Sequence, residues 1–260
     1  MKKYCMLFGS CLKQSLTYRA DALAGAALSF FSVLIAYLLW SLLIPQGGER
    51  GGFTLPAMVT YTMIGTALSP FVQSSATMLA FADEIRTGKY ARYLYTPISP
   101  FGAFASQSLA AALPGSLFTA LCCLLWSLVF HRLMQPLSLT GTLCALPVLA
   151  LSAAFVLLFN HLIVSLAFRF TDVLGVVLIR GTLLSLFSGG LAPLEVLFGG
   201  APLWSPLYYL IGYPAQLMMG RPVASPWLAC AALGAWTLLL AALTALTLRR
   251  SRAAFEGVGA

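Results

Sequence analysis

Long apolar runs separated by short polar segments constrain this chain more than any other feature of its sequence. The clearest run, residues 22–44, carries no charged side chain and stops at Pro45. About 20 such residues suffice for a helix to cross the hydrocarbon core of a bilayer. Over the whole chain only 8% of residues are charged, against roughly a quarter in an ordinary soluble domain. We therefore predict an all-α membrane protein in which residues 1–260 form a single transmembrane domain.

The runs predict six transmembrane helices, at residues 22–44, 56–82, 101–130, 143–168, 173–188 and 227–248. Pro70 and Gln73 interrupt the second run, and a membrane helix tolerates a proline where neighbouring groups satisfy the freed backbone. A kink is therefore expected near Pro70.

Two further segments are apolar without being long enough to span. Residues 1–21 mix lysines with apolar residues near helical spacing, which favours a basic interfacial helix over a plain cytoplasmic tail. Residues 192–226 hold six of the 14 prolines together with many Tyr, Trp and Leu residues. Short aromatic runs broken by proline and glycine are typical of a re-entrant or interfacial hairpin, here predicted on the outer side.

The distribution of basic residues predicts the orientation. One alternating set of segments contains Lys2, Lys3, Lys13, Arg19, Arg86, Lys89, Arg92, Arg169, Arg249, Arg250 and Arg252, whereas the opposite set contains Arg50, Arg132 and Arg221. Because cytoplasmic loops carry the excess of Lys and Arg, both termini are predicted to be cytoplasmic. The net charge of +8 thus reflects topology, and no nucleic acid partner is expected.

Sequence motifs for catalysis are absent. Gly88-Lys89 is followed by Tyr90 where a phosphate-binding loop needs Ser or Thr, and the two histidines, His131 and His161, cannot form a His-Glu-x-x-His zinc site. We expect no catalytic residue, no metal site and no cofactor on this chain.

Polar residues within the predicted spans are few. Arg180 lies inside the fifth span, where it either faces the bundle interior or extends to the inner interface beside Asp172, and the sequence leaves both interpretations open. Asn160 and Gln73 are the weaker candidates for a translocation path, since such residues more often hold helices together. The acidic residues all lie at or beyond the predicted span ends, which disfavours an ion-coupled secondary transporter.

Several short motifs, taken in chain order, resemble the ABC-2 type transporter permeases. They are Tyr18-Arg19-Ala20-Asp21, Trp40, Tyr61, Glu84-Ile85-Arg86-Thr87-Gly88-Lys89, Leu94-Tyr95-Thr96-Pro97-Ile98-Ser99 and Ser188-Gly189-Gly190-Leu191-Ala192-Pro193-Leu194. The chain is most similar to the short branch of that family with a tyrosine-arginine-x-aspartate start. Either Asp83 or Glu84, with Gly88 after it, can take the place of the acidic residue in the family's loop.

This resemblance implies an exporter subunit of the bacterial inner membrane, acting as a dimer with an identical or related permease. Each copy would dock a separate cytoplasmic ABC ATPase, which carries ATP and Mg, through a coupling helix at residues 83–95. The implied coupling residues are Asp83, Glu84, Arg86, Gly88, Lys89, Arg92 and Tyr93. The other interpretation of this segment is a solvated connector, and the other functions considered are a secondary transporter and a structural membrane component.

Overall fold

The computed structural model describes residues 2–17, 19–45, 48–73, 75–170, 173–221 and 224–255. These ranges are built from α-helices and short 3-10 turns, and their only β-type pairing is a single bridge between Arg50 and Phe53. The helices are α1 Lys2–Thr17, α2 Arg19–Leu43, α3 Leu55–Gln73, α4 Ala76–Arg86, α5 Arg92–Tyr95, α6 Pro100–Val129, α7 Leu139–Val164, α8 Leu174–Phe187, α9 Leu194–Phe198, α10 Gly212–Met218 and α11 Pro226–Phe255.

Four helical segments are long and apolar enough to cross a membrane. They are Leu55–Arg86, Pro100–Leu128, Leu139–Phe168 and Pro226–Thr247, and α2 and α8 add the shorter apolar stretches Ala27–Leu43 and Leu174–Phe187. The prediction of an all-α, multi-pass membrane protein is therefore confirmed. The number of six spans stays a prediction, because α8 has 14 residues and a straight span needs about 20.

The second predicted span is broken between Gln73 and Ala76, next to one of the two residues that interrupt its apolar run. Pro70 lies inside α3, which continues to Gln73, and α4 begins at Ala76 after Ser75. The Ser75 side chain makes no capping hydrogen bond to α4. The kink expected near Pro70 stays a prediction.

Parts of α2, α3 and α6 pack together. Val33, Met63, Cys123 and Trp126 form a buried cluster, and the Trp126 ring lies 4.8 Å from that of Phe30. Burying these aromatic and aliphatic side chains together fixes the three helices as one group.

A second group combines α7, α10 and α11. Its core includes Ala145, Phe155, Tyr213 and Leu233. Gly141, near the start of α7, approaches α10 so closely that a Cβ there would lie 1.9 Å from the carbonyl oxygen of Leu217. A side chain at this position would force the two helices apart.

The segment predicted as an outer hairpin folds back into the bundle. Its core residues Tyr208 to Leu217 are buried, and the Ser152 hydroxyl of α7 donates to the Tyr209 carbonyl at 2.8 Å. Tyr208 donates to Glu195 and accepts from the Gln216 amide at 3.1 Å. The hairpin is therefore a packed element, while its depth in the membrane stays a prediction.

The predicted interfacial helix forms as α1 and packs along α6. Tyr4 accepts a hydrogen bond from the backbone N–H of Ser99 at 3.0 Å, and Lys3 donates to the Pro97 carbonyl. Tyr18 and the side chains of Arg19 and Asp21 lie outside the described residues, so the proposed start motif has no structural description.

Candidate coupling site

Residues 83–95 form a compact turn and not the single helix that the sequence suggested. The end of α4 is followed by Gly88, whose φ of 75° lies in the left-handed region. A 3-10 turn Lys89–Ala91 and α5 then lead towards α6. Glycine adopts this φ at little cost, which explains why the chain reverses here and the predicted helix ends.

The aromatic side chains of this turn point into the protein. Phe81, Tyr90 and Tyr93 are 1%, 2% and 8% exposed. The Phe81 ring lies 5.6 Å from that of Tyr93 and 5.4 Å from that of Phe104 on α6. The rings of Tyr90 and Tyr93 are thus packed within the protein, whereas Tyr95 is 86% exposed.

Three of the predicted coupling residues form one polar cluster that closes the turn. Glu84 accepts from Arg92 at 2.6 Å and from the Tyr93 hydroxyl at 3.1 Å, and Arg92 also donates to Tyr93 at 2.8 Å. The hydrogen bond with Tyr93, together with the charge of Glu84, raises the pKa of Arg92. Burial raises the pKa of Tyr93, which favours its neutral, hydrogen-bonding form.

The other charged coupling residues face outward. Arg86 and Asp83 form an ion pair at 3.2 Å with side chains that are 58% and 51% exposed, and Lys89 is also exposed. An exposed pair of this kind contributes little to folding. The seven predicted residues therefore fall into three groups. Three hold the turn together by hydrogen bonds (Glu84, Arg92 and Tyr93), one allows its backbone conformation (Gly88), and three face outward (Asp83, Arg86 and Lys89).

Arg180 on α8 is buried, with 2% of its surface exposed. It donates to the Val72 carbonyl at 2.6 Å, one of the last carbonyls of α3, which the helix break leaves without an intrahelical partner. Its Nε and Nη1 have no partner among the described residues. This geometry favours the interior interpretation of Arg180. Asp172, the alternative partner, lies outside the described residues.

The remaining path candidates differ in their surroundings. Asn160 is 3% exposed and its Oδ1 has no described partner. The next residue, His161, lies 5.3 Å and 5.4 Å from the rings of Phe101 and Phe104. The Gln73 side chain is exposed. A continuous polar path through these three residues stays a prediction.

The bond between α3 and the turn after α8 is a feature that sequence reasoning missed. The Tyr61 hydroxyl donates to the Gly189 carbonyl at 2.7 Å. Both residues belong to motifs that carry the family resemblance, but nothing in their spacing predicts the contact.

Within the described ranges, no group of three or more His, Cys, Asp or Glu side chains could hold a metal ion.

Comparison with known proteins gives one match. The sequence model of the family described as ABC-2 family transporter protein matches residues 30–259. No curated protein and no solved structure matched the chain.

Proposed function

Since the chain belongs to the ABC-2 family of transporter proteins, we propose that it is the permease subunit of an ATP-driven exporter. Membership in this family indicates that the chain is a multi-pass membrane component of an ABC transporter. The direction of transport, the assembly and the orientation are our proposal.

The compact turn at residues 83–95 is the observation that supports coupling to an ATPase. The Glu84, Arg92 and Tyr93 cluster fixes its shape, and its aromatic side chains anchor it to the ends of α4, α6 and α7. A rigid segment between spans can pass a partner's rigid-body motion to the helices it touches. Asp83, Arg86 and Lys89 are the side chains that would contact the ATPase.

The proposed topology has six spans, with α2, α3–α4, α6, α7, α8 and α11 crossing the bacterial inner membrane. Both termini and residues 83–95 are cytoplasmic, as the distribution of basic residues indicates. Short helices such as α8 can cross when the bilayer thins or neighbouring residues extend to the interface.

In the proposed cycle, ATP and Mg bind to separate cytoplasmic ATPase subunits, which close on each other and move the coupling turns. Two permease copies, identical or related, open a path between α2, α3–α4 and α8. Arg180 lies beside the α3–α4 break, where it can respond to movement of that helix.

Co-purification from the native membrane tests this function. The protein is extracted in mild detergent and the associated proteins are identified by mass spectrometry. Exchanging the charges of one pair, Asp83→Arg with Arg86→Asp, keeps the local ion pair and alters only the pattern offered to a partner. We expect this variant, combined with Lys89→Glu, to lose an ATP-binding subunit that the unaltered chain retains.

Arg50→Glu is the matched control, because Arg50 is an exposed basic residue of the α2–α3 loop, outside the coupling turn. It should retain the ATP-binding subunit. Loss in both variants would point to a general charge effect. Recovery of no ATP-binding protein in several detergents would contradict the proposal and favour a secondary transporter or a structural component.

A further inference from the structure

Two adjoining cavities form a groove along α3. The first has a volume of about 610 Å³ and lies between α3, α6 and the loop that follows α6. The second, of about 270 Å³, lies between α3 and α7. Leu68 of α3 lines both cavities, so they are neighbouring parts of one groove.

The groove is long, narrow and apolar. Its α3 wall extends from Thr60 to Val72, which corresponds to about 18 Å at 1.5 Å per residue. Between these ends, Met63, Ile64 and Ala67 contribute aliphatic surface. A strip of this length and composition suits a hydrocarbon chain and offers little to a polar solute.

The groove is open on the side facing away from the bundle. Its wall includes Ala120 and Leu124 of α6 and Ala150 of α7, all of which are exposed. α6 and α7 meet at their other ends, where Phe101 and Phe104 contact His161. Because these helices cross the membrane, the opening faces lipid.

One end of the groove is polar and basic. Ser127, His131 and Gln135 line it, and the exposed Arg132 adjoins it. The Gln135 backbone N–H donates to the Thr60 hydroxyl at 2.9 Å, and its amide donates to the Met219 carbonyl at 3.3 Å. These bonds fix the loop that carries His131, which lines the groove, and Arg132, its exposed neighbour in the chain.

We propose that this groove binds one phospholipid, with an acyl chain along α3 and the phosphate at His131 and Arg132. The apolar strip shields the acyl chain from contact with bulk lipid. The Arg132 guanidinium can form two hydrogen bonds with the phosphate. By the distribution of basic residues the mouth is on the outer side, so the lipid comes from the outer leaflet. This inference goes beyond the transport function, because it assigns a resident lipid to the permease itself.

Filling the groove tests the acyl-chain site. Ala120→Phe places a ring in the groove, and Ala111→Phe places the same ring on an exposed position of α6 outside both cavities. The variants are purified, depleted of lipid and titrated with phosphatidylglycerol under native mass spectrometry. We expect one tightly bound lipid on the unaltered chain and on Ala111→Phe, and at least a tenfold weaker binding on Ala120→Phe. Equal binding by the two variants would overturn the site.

A thiol introduced in the groove provides a second test. Leu124 lines the groove and is 56% exposed, so Leu124→Cys offers an accessible thiol there, whereas Cys144 of α7 is exposed and outside it. Added phosphatidylglycerol should slow modification of the introduced thiol by N-ethylmaleimide several-fold and leave Cys144 unchanged, as read by peptide mass spectrometry. Unchanged modification of the introduced thiol would contradict the proposal.

The phosphate contact is tested with diacylglycerol, which has the same chains and no phosphate. It should bind more weakly than phosphatidylglycerol to the unaltered chain, and Arg132→Gln with His131→Gln should abolish this difference. Inorganic phosphate alone should not protect the thiol introduced by Leu124→Cys. A diacylglycerol that binds as well as the phospholipid, or protection by phosphate alone, would overturn the placement of the lipid.

Discussion

Arg180 shows how one residue can stabilise a discontinuity in the membrane. A helix that ends within a bilayer leaves carbonyls without partners, and a cation near a helix C-terminus interacts favourably with them. Arg180 supplies both a donor and a charge to Val72. Its Nε and Nη1 have no hydrogen-bond partner among the described residues, which makes the burial costly.

We expect Arg180→Met to lower activity with little effect on stability. The substitution leaves the Val72 carbonyl without its donor, which costs about 1–3 kcal/mol, but it also removes a buried charge, which is often neutral or favourable. Thermal stability in detergent should therefore change little, while ATP turnover by the assembled transporter falls several-fold. Arg180→Lys, which keeps the charge, should retain part of the turnover. A large loss of stability with normal turnover per folded complex would show that Arg180 is only structural.

The two adjacent acidic residues of the coupling turn should differ in effect. Glu84→Gln weakens two hydrogen bonds that hold Arg92 and Tyr93, and bonds to a charged group contribute about 1.5–3 kcal/mol. Asp83→Asn removes an exposed ion pair worth at most about 1 kcal/mol. Hydrogen exchange of residues 88–95 should accelerate several-fold in the first variant and little in the second. The same acceleration in both would contradict the holding role of Glu84.

At the scale of elements, the turn after α8 depends on a glycine in close contact. Gly189 has a φ of 81°, and a Cβ there would lie 2.5 Å from the Tyr61 hydroxyl. Gly199 has a similar φ of 75° but open space around it. Comparing alanine substitutions at Gly189 and Gly199 therefore separates the effect of backbone strain from the effect of steric conflict.

We expect Gly189→Ala to lower the free energy of unfolding by more than Gly199→Ala. Each substitution carries left-handed strain of about 1–2 kcal/mol, and only the first also displaces Tyr61 and its hydrogen bond, worth about 1 kcal/mol. Thermal unfolding of the purified variants measures the difference. In a Tyr61→Phe background, the difference in the free energy of unfolding between the two alanine variants should become smaller. Equal destabilisation would show that the contact is not tight.

The sequence predicted the apolar spans of α6, α7 and α11 best, since polar or charged residues mark the ends of those spans. The break between α3 and α4 follows Gln73, which interrupts the apolar run of the second predicted span, whereas Pro70 lies inside α3. The inward packing of Tyr90 and Tyr93 could not be predicted, because it depends on where α6 and α7 lie beside α4. Composition alone makes such tyrosines equally suited to a partner surface.

At the scale of the whole molecule, the orientation rests on charge counts and can be measured directly. In a background without native cysteines, Lys89→Cys and Arg132→Cys each place one exposed thiol on opposite sides of the predicted membrane. Applied to intact cells, a membrane-impermeant maleimide should label Arg132→Cys, and Lys89→Cys should react only after permeabilisation. The reverse pattern would invert the topology and place the coupling turn outside.

The broken second span also has a mechanical consequence. α3 packs with α2 and α6, while α4 is held at its far end by the aromatic side chains of the coupling turn. With 11 residues, α4 is about 16 Å long, and we expect it to tilt as a rigid rod about Ser75. A force applied at Arg86 would then tilt α4 without bending α3. The hydrogen bond from Arg180 to the Val72 carbonyl would hold the end of α3 in place during this motion.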